Sequence, residues 1–92
     1  AYGDDYDRAK EVLTRLLEDD PRVLKDPPYL IALASLGDSS VNITVRAWVK
    51  REEYWNVFFD MNEKVYKTFP SAGLNIPFPQ MDVHVYDENQ PA

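Results

Sequence analysis

The side chains best suited to chemistry lie close together near the carboxyl-terminal end of the sequence. His84 is the only histidine of the chain, and Asp82 precedes it by two residues. Residues two apart in an extended strand point to the same side, so this pair could contact a metal ion. A structural zinc site takes four ligands, however, and one chain offers only two here. Symmetry-related copies would have to complete such a site, and we therefore expect no metal and no cofactor.

Other signatures of catalysis or ligand binding are missing from the sequence. The chain has three glycines and neither a Gly-x-Gly-x-x-Gly nor a Walker pattern, so nothing favours nucleotide binding. The acidic cluster Asp4, Asp5 and Asp7 is best explained by the positive end of a helix, because no calcium-loop spacing follows it. An acylphosphatase-type anion loop is not recognisable either. We predict that the chain is not an enzyme.

Length and composition restrict the possible partners. The chain has 92 residues and no cysteine, which predicts one small domain in a reducing, cytoplasmic setting. Its net charge of −6 opposes binding to phosphate backbones, so we expect no nucleic-acid partner. The longest apolar run, residues 30–34, is far shorter than the roughly 18 residues of a membrane span. This stretch is therefore not expected to cross a membrane.

Two amphipathic helices are predicted from apolar spacing. The first carries its apolar residues at helical intervals from Ala9 to Leu17 and ends before Pro21. Residues 1–3 resemble the end of a strand that begins upstream. The second helix opens at Glu52 and stops at Pro70. Its core stripe is predicted to comprise Tyr54, Phe58, Met61, Val65 and Phe69, with Val57 beside it, while Trp55, Phe59 and Tyr66 widen the apolar arc.

A hairpin is predicted between the helices. Residues 29–36 are apolar at nearly every position, residues 37–40 have turn chemistry, and residues 41–50 alternate with period two. In the second strand Trp48 falls on the polar side, together with Arg46 and Lys50. It either lies partly exposed over the stems of these cations or anchors a subunit interface.

The final apolar stretch follows a Pro-x-Pro spacer. Pro77 and Pro79 cannot donate to a sheet ladder, which predicts an extended, unpaired segment. Met81, Val83 and Val85 then alternate with polar residues as in a strand. We expect this strand to lie outside the sheet of its own subunit and to pair with another chain. The predicted organisation is an α/β domain at 1–76, a spacer at 77–80 and an oligomerisation strand with its tail at 81–92.

The order of elements is strand end, helix, strand, strand, helix, strand. This order is that of a ferredoxin-like split β-α-β fold in the α+β class, with both helices on one face of a mixed or antiparallel sheet. The opposite face, which bears Trp48, is then open.

Two stretches carry a family resemblance. Residues 36–41 leading into 45–49 (LGDSSV and VRAWV), and residues 72–80 (AGLNIPFPQ), resemble the C-terminal cytoplasmic domain of the MscS family of small-conductance mechanosensitive channels. The resemblance runs from Tyr2 to Val85. It implies a homoheptamer whose C-terminal domains build a hollow cytoplasmic cage, closed by a parallel β-barrel with one strand from each subunit.

The resemblance implies a role rather than a chemical site. The membrane helices, pore helix and middle β domain of the family have no counterpart in this sequence, so the membrane would be reached only through such segments. The implied role is that of a cage domain at the cytoplasmic face of the inner membrane, which assists assembly, solute filtering and gating during osmotic pressure release. The predicted oligomerisation residues are Trp48, Phe78, Pro79, Gln80, Met81, Val83 and Val85, with the last three toward the barrel lumen.

One alternative class remains open. A free-standing ferredoxin-like regulatory domain of the ACT type would bind a small ligand at a dimer interface. Its last strand would be inserted in its own sheet, so the placement of residues 81–86 separates the two classes.

Overall fold

The computed structural model describes residues 2–35, 42–75 and 78–87. Helix α1 spans Tyr2–Glu18 and helix α2 spans Tyr54–Ser71, the latter preceded by a short 3₁₀ turn at Arg51–Glu53. The strands are β1 (Leu30–Ser35), β2 (Asn42–Val49) and β3 (Gln80–Val85). The two predicted helices and the three predicted strands are thus confirmed within these ranges.

The three strands form one mixed sheet in the order β1-β2-β3. Strands β1 and β2 pair antiparallel, with Ile31 opposite Val45. Strands β2 and β3 pair parallel, with Val45 opposite Met81 and Trp48 opposite His84. The α+β class and the mixed sheet are confirmed, whereas the predicted turn at 37–40 lies outside the described residues.

Strand β3 requires a correction of the sequence-based prediction. It was expected to lie outside the sheet of its own subunit, but it adds directly to β2 over six paired positions, from Gln80 to Val85. Pro79 does not prevent this pairing, because the strand begins immediately after it and every residue in the strand can donate to the ladder. Pro77, the other proline of the predicted spacer, lies outside the described residues. Met81 and Val83 are 8% exposed and face the core of the same chain.

The connection between the parallel strands also differs from a split arrangement. In the described part of the chain, α2 links β2 to β3 and these two strands are direct neighbours, so they form a continuous β-α-β unit. The split form would place another strand between them. The strand end predicted at residues 1–3 is likewise wrong for Tyr2 and Gly3, which belong to the first turn of α1.

Both helices cover the same face of the sheet and share one core. The α1 side chains Ala9, Leu13 and Leu17 recur every four residues and are almost fully buried. The α2 core side chains have the same spacing, and they meet the inward-facing residues of all three strands. The buried α2 residues are Val57, Met61, Val65 and Phe69. Val57 therefore belongs to the buried stripe, while Tyr54 and Phe58 are half-buried beside it.

Helix α2 ends in a Schellman motif. Gly73 has a φ of +77° and donates its N–H to the carbonyl of Pro70 at 3.0 Å, and Leu74 donates to the carbonyl of Phe69 at 3.0 Å. Leu74 is buried beneath this turn. The helix thus ends at Ser71, one residue later than Pro70 alone predicts, and the chain turns back toward β3.

Candidate functional site

The candidate site is the sheet face opposite the helices, here called the open face. It is formed by the alternate residues of β2 and β3 that point away from the core, and it continues onto Leu30 of β1, which is 47% exposed. The parallel register sets three pairs side by side: Thr44 with Gln80, Arg46 with Asp82, and Trp48 with His84. No other element of the described part of the chain packs on this face.

Trp48 and His84 are the largest ring pair on the open face. Their ring centroids are 4.9 Å apart and their planes are inclined by 36°, and both side chains are half-buried. The backbone of Trp48 is also held, because its carbonyl accepts a 2.8 Å hydrogen bond from the N–H of Leu24. The open face therefore presents an indole with an imidazole against it.

The predicted oligomerisation residues do not lie on one surface. Trp48 and Gln80 are on the open face, whereas Met81 and Val83 point to the helices and Val85 is half-buried at the end of β3. Pro79 is buried, and Phe78 is 51% exposed and lies against Tyr66 of α2 with centroids 5.5 Å apart. While β3 is in its own sheet, Met81 and Val83 are thus unavailable to a neighbouring subunit.

Sequence reasoning placed His84 in a possible metal pair and missed its contact with Trp48. The alternation of apolar and polar residues in both strands could have indicated this contact. The register between the strands was unknown, however, because β3 was not expected to join β2. Among the described residues, no group of three or more His, Cys, Asp or Glu side chains could hold a metal ion.

A polar cluster on the other side of the molecule fixes the loop after α1. Asp20 is a buried carboxylate that accepts hydrogen bonds from Nε and Nη2 of Arg22 at 3.0 and 2.8 Å. Its pKa is lowered, chiefly by this side-chain hydrogen bond, although burial acts in the opposite direction. The paired carboxylates raise the pKa of Arg22. Lys25 donates to the carbonyls of Leu17, Asp20 and Val23, so the cluster closes the end of α1.

A shallow cleft of about 480 Å³ lies where β2 and β3 end. Lys50 and Arg51 line it together with Asp26 and Asp87, and Arg51 approaches Asp87 at 3.6 Å. Charges of both signs are thus mixed within a few ångströms, and this arrangement selects neither an anion nor a cation.

These features define a small α+β domain with one covered and one open sheet face. Residues 1–76 match the family model of the C-terminal domain of the mechanosensitive ion channel MscS. The chain belongs to this family, which is named for ion channels and not for an enzyme activity.

Individual relatives agree with the family assignment. An uncharacterized MscS family protein of Buchnera aphidicola is 38% identical over 90 residues, which cover 98% of this chain and 32% of that protein. The small-conductance mechanosensitive channel of Edwardsiella ictaluri is 40% identical over 86 residues, or 94% of this chain and 30% of the channel. The small-conductance mechanosensitive channel MscMJ of Methanocaldococcus jannaschii is 31% identical over 85 residues, or 89% of this chain and 24% of that channel.

The chain spans about a third or less of the length of these curated relatives. Neither described helix is both long and apolar enough to cross a membrane.

Proposed function

We propose that this chain is a wall domain of the cytoplasmic cage of a mechanosensitive, osmotic-pressure-release channel, and that its open face holds neighbouring subunits together. Membership of the MscS C-terminal family supports the first part. The single observation that carries the second part is Trp48, a half-buried indole on a sheet face that no other described element covers. In this proposal the domain filters solutes and modulates gating, and conduction belongs to other segments.

The chemistry of the open face fits a second copy of the same chain. A tryptophan carries about 150–250 Å² of surface, and Trp and Arg are the side chains that most often dominate interface energetics. Arg46 and Asp82 lie side by side on the face, so copies related by rotation can pair the cation of one with the anion of the next. We infer a ring of seven copies at the cytoplasmic face of the inner membrane, and the family resemblance supports this number.

Strand β3 and the residues before it contribute only a few side chains to the proposed subunit contact. Gln80 and Phe78 are exposed and free to contact a neighbour, whereas Met81, Val83 and Val85 support β3 from the core side. An intersubunit barrel built from these strands would first require β3 to separate from β2 and Met81 and Val83 to leave the core. Assembly through the open face needs no such separation.

The mass of the chain in solution tests the assembly. We expect sedimentation to detect heptamers, and Trp48→Ser to lower their association constant at least tenfold. Trp55→Ser is the matched control, because Trp55 is 63% exposed on α2 and lies away from the open face. Equal losses in both variants would contradict a specific role for the open face. In a full-length channel, Trp48→Ser should likewise reduce the oligomer and the tension-gated current.

One observation favours a second candidate, an ACT-type regulatory domain that binds a small ligand between two copies. Such a domain carries its last strand in its own sheet, as β3 does here. Two copies in solution, with a ligand-dependent change in mass, would support this candidate, whereas seven copies would exclude it.

A further inference from the structure

Helix α2 carries a row of exposed aromatic side chains, here called the aromatic stripe. Trp55, Phe59 and Tyr66 are 63%, 61% and 67% exposed, although the same helix buries four other side chains in the core. Their spacing of four and seven residues places them on one line along the helix, over a length of about 16 Å. The open face lies on the other side of the sheet, so the stripe is a separate surface.

The rings of the stripe contact one another and the edge of the core. Trp55 and Phe59 stack with their centroids 5.7 Å apart. Each also meets Phe58 edge-on, at centroid separations of 6.1 and 5.5 Å, and Phe58 is half-buried against the core. Rings that are already packed in the free chain lose less conformational entropy when a partner covers them. The stripe is therefore suited to contact another protein surface.

We propose that the aromatic stripe pairs two copies of this chain through an antiparallel contact of their α2 helices. A two-fold axis at the middle of the stripe, between Phe59 and Asn62, brings Trp55 of one copy level with Tyr66 of the other. The row is thus complementary to a second copy of itself, as an isologous contact requires. Such a contact joins two chains only, so it is distinct from a ring contact through the open face.

Charges beside the stripe favour the antiparallel orientation. Glu52 lies in the turn that precedes α2 and Lys67 lies near the end of the helix, and both are exposed. Antiparallel helices set Glu52 of each copy against Lys67 of the other, whereas parallel helices would set like charges against each other. Lys67 also approaches Glu63 of its own chain at 3.5 Å, but its side chain is 72% exposed and accessible to a second carboxylate.

The exposed area agrees with a weak but specific contact. An aromatic side chain carries about 150–250 Å², so the exposed parts of the three rings amount to about 300–500 Å² in each copy. Two copies bury about twice this aromatic area, and the polar residues beside the stripe add to it. Specific pairs bury about 1,200–2,000 Å² in total, so this contact lies near the lower limit. We expect it to form at micromolar concentrations of the chain.

Sedimentation in a Trp48→Ser background isolates the contact, because the ring contact proposed for the open face is then weakened. We expect a monomer–dimer equilibrium that does not depend on a small ligand. Phe59→Glu sets two like charges at the two-fold axis and should lower the dimer association constant at least tenfold. Lys64→Ser is the matched control, because Lys64 is exposed about 140° around α2 from Phe59 and should leave the constant unchanged. A chain that stays monomeric at hundreds of micromolar, or a dimer that withstands Phe59→Glu, would overturn the proposal.

Charge reversal tests whether the partner is a second, antiparallel copy. Glu52→Lys and Lys67→Glu, each alone, set like charges against each other and should lower the association constant about two- to tenfold. An equal mixture of the two single variants should form mixed dimers at least as strongly as the unmodified chain, because both contacts then join opposite charges. Absence of this recovery would contradict the antiparallel pair. Neither result bears on the open face, whose own test is the loss of the ring in Trp48→Ser.

Discussion

The guanidinium of Arg22 donates a hydrogen bond at 2.9 Å to the carboxylate of Asp60, which lies 38 residues further along the chain. The same guanidinium holds both carboxylate oxygens of Asp20. One side chain therefore links the loop after α1 to the middle of α2. The two acids differ in surroundings, because the Asp20 side chain is 2% exposed and that of Asp60 is 54% exposed.

This difference predicts unequal costs of substitution. Arg22→Met leaves Asp20 buried without its cation, which should lower the free energy of unfolding by about 3 kcal/mol. Asp60→Asn removes a largely solvated pair and should cost less than about 1 kcal/mol. Urea unfolding of the two variants measures both values. Equal costs would contradict the prediction that the pair with buried Asp20 contributes more to the free energy of unfolding than the pair with Asp60.

The Asp20 carboxylate also predicts acid sensitivity. Its folded-state pKa is held below the ordinary value of 3.8 by Arg22. A group with a lowered folded-state pKa contributes stability that is fully present above the unfolded-state pKa and is lost as the pH falls through the folded-state pKa. The unmodified chain should therefore lose stability more steeply below about pH 4 than Asp20→Asn does. Unfolding curves collected from pH 6 to pH 2 test this, and parallel losses would contradict it.

Gly73 allows a test of the α2 terminus. An alanine there would have no atom within 4 Å of its Cβ, so its cost is the conformational cost of a positive φ alone. We expect Gly73→Ala to lower the free energy of unfolding by about 1–2 kcal/mol. Asparagine tolerates this conformation better, so Gly73→Asn should cost less. Thermal or urea unfolding distinguishes the two, and a larger loss for asparagine would be inconsistent with the Schellman motif.

Removal of β3 should unfold the domain rather than merely dissociate it. A chain that ends at Phe78 lacks Met81 and Val83, and each such buried side chain contributes about 1.5–3 kcal/mol. It also leaves the edge of β2 that pairs with β3 without that partner. Circular dichroism and urea unfolding should detect a loss of cooperative folding. A truncated chain with the stability of the full chain would indicate that β3 does not belong to the core.

Sequence patterns predicted which helices and strands form better than they predicted which strands are neighbours in the sheet. The spacing of Leu13 and Leu17 identified α1, and the alternation around Val45 identified β2, because these periods follow from local geometry. Strand β3 was recognised, but its partner was not, since parallel pairing depends on contacts far apart in the chain. The unknown partner of β3 also limited the prediction of the candidate site. The sequence placed Trp48 on the uncovered side of the sheet, whereas the position of His84 beside it could be identified only once the register was known.

The parallel pairing of β2 with β3 has a consequence for synthesis. Thr44 pairs with Gln80, so the ladder joins residues separated by the whole of α2, and such distant contacts form slowly. A nascent chain makes β1, β2 and α2 before residue 80 leaves the ribosome. Until then the edge of β2 that pairs with β3 has no partner among the described strands, and its backbone donors and acceptors can recruit another strand. The carboxyl-terminal strand is therefore also the segment that ends the period in which this domain is open to aggregation.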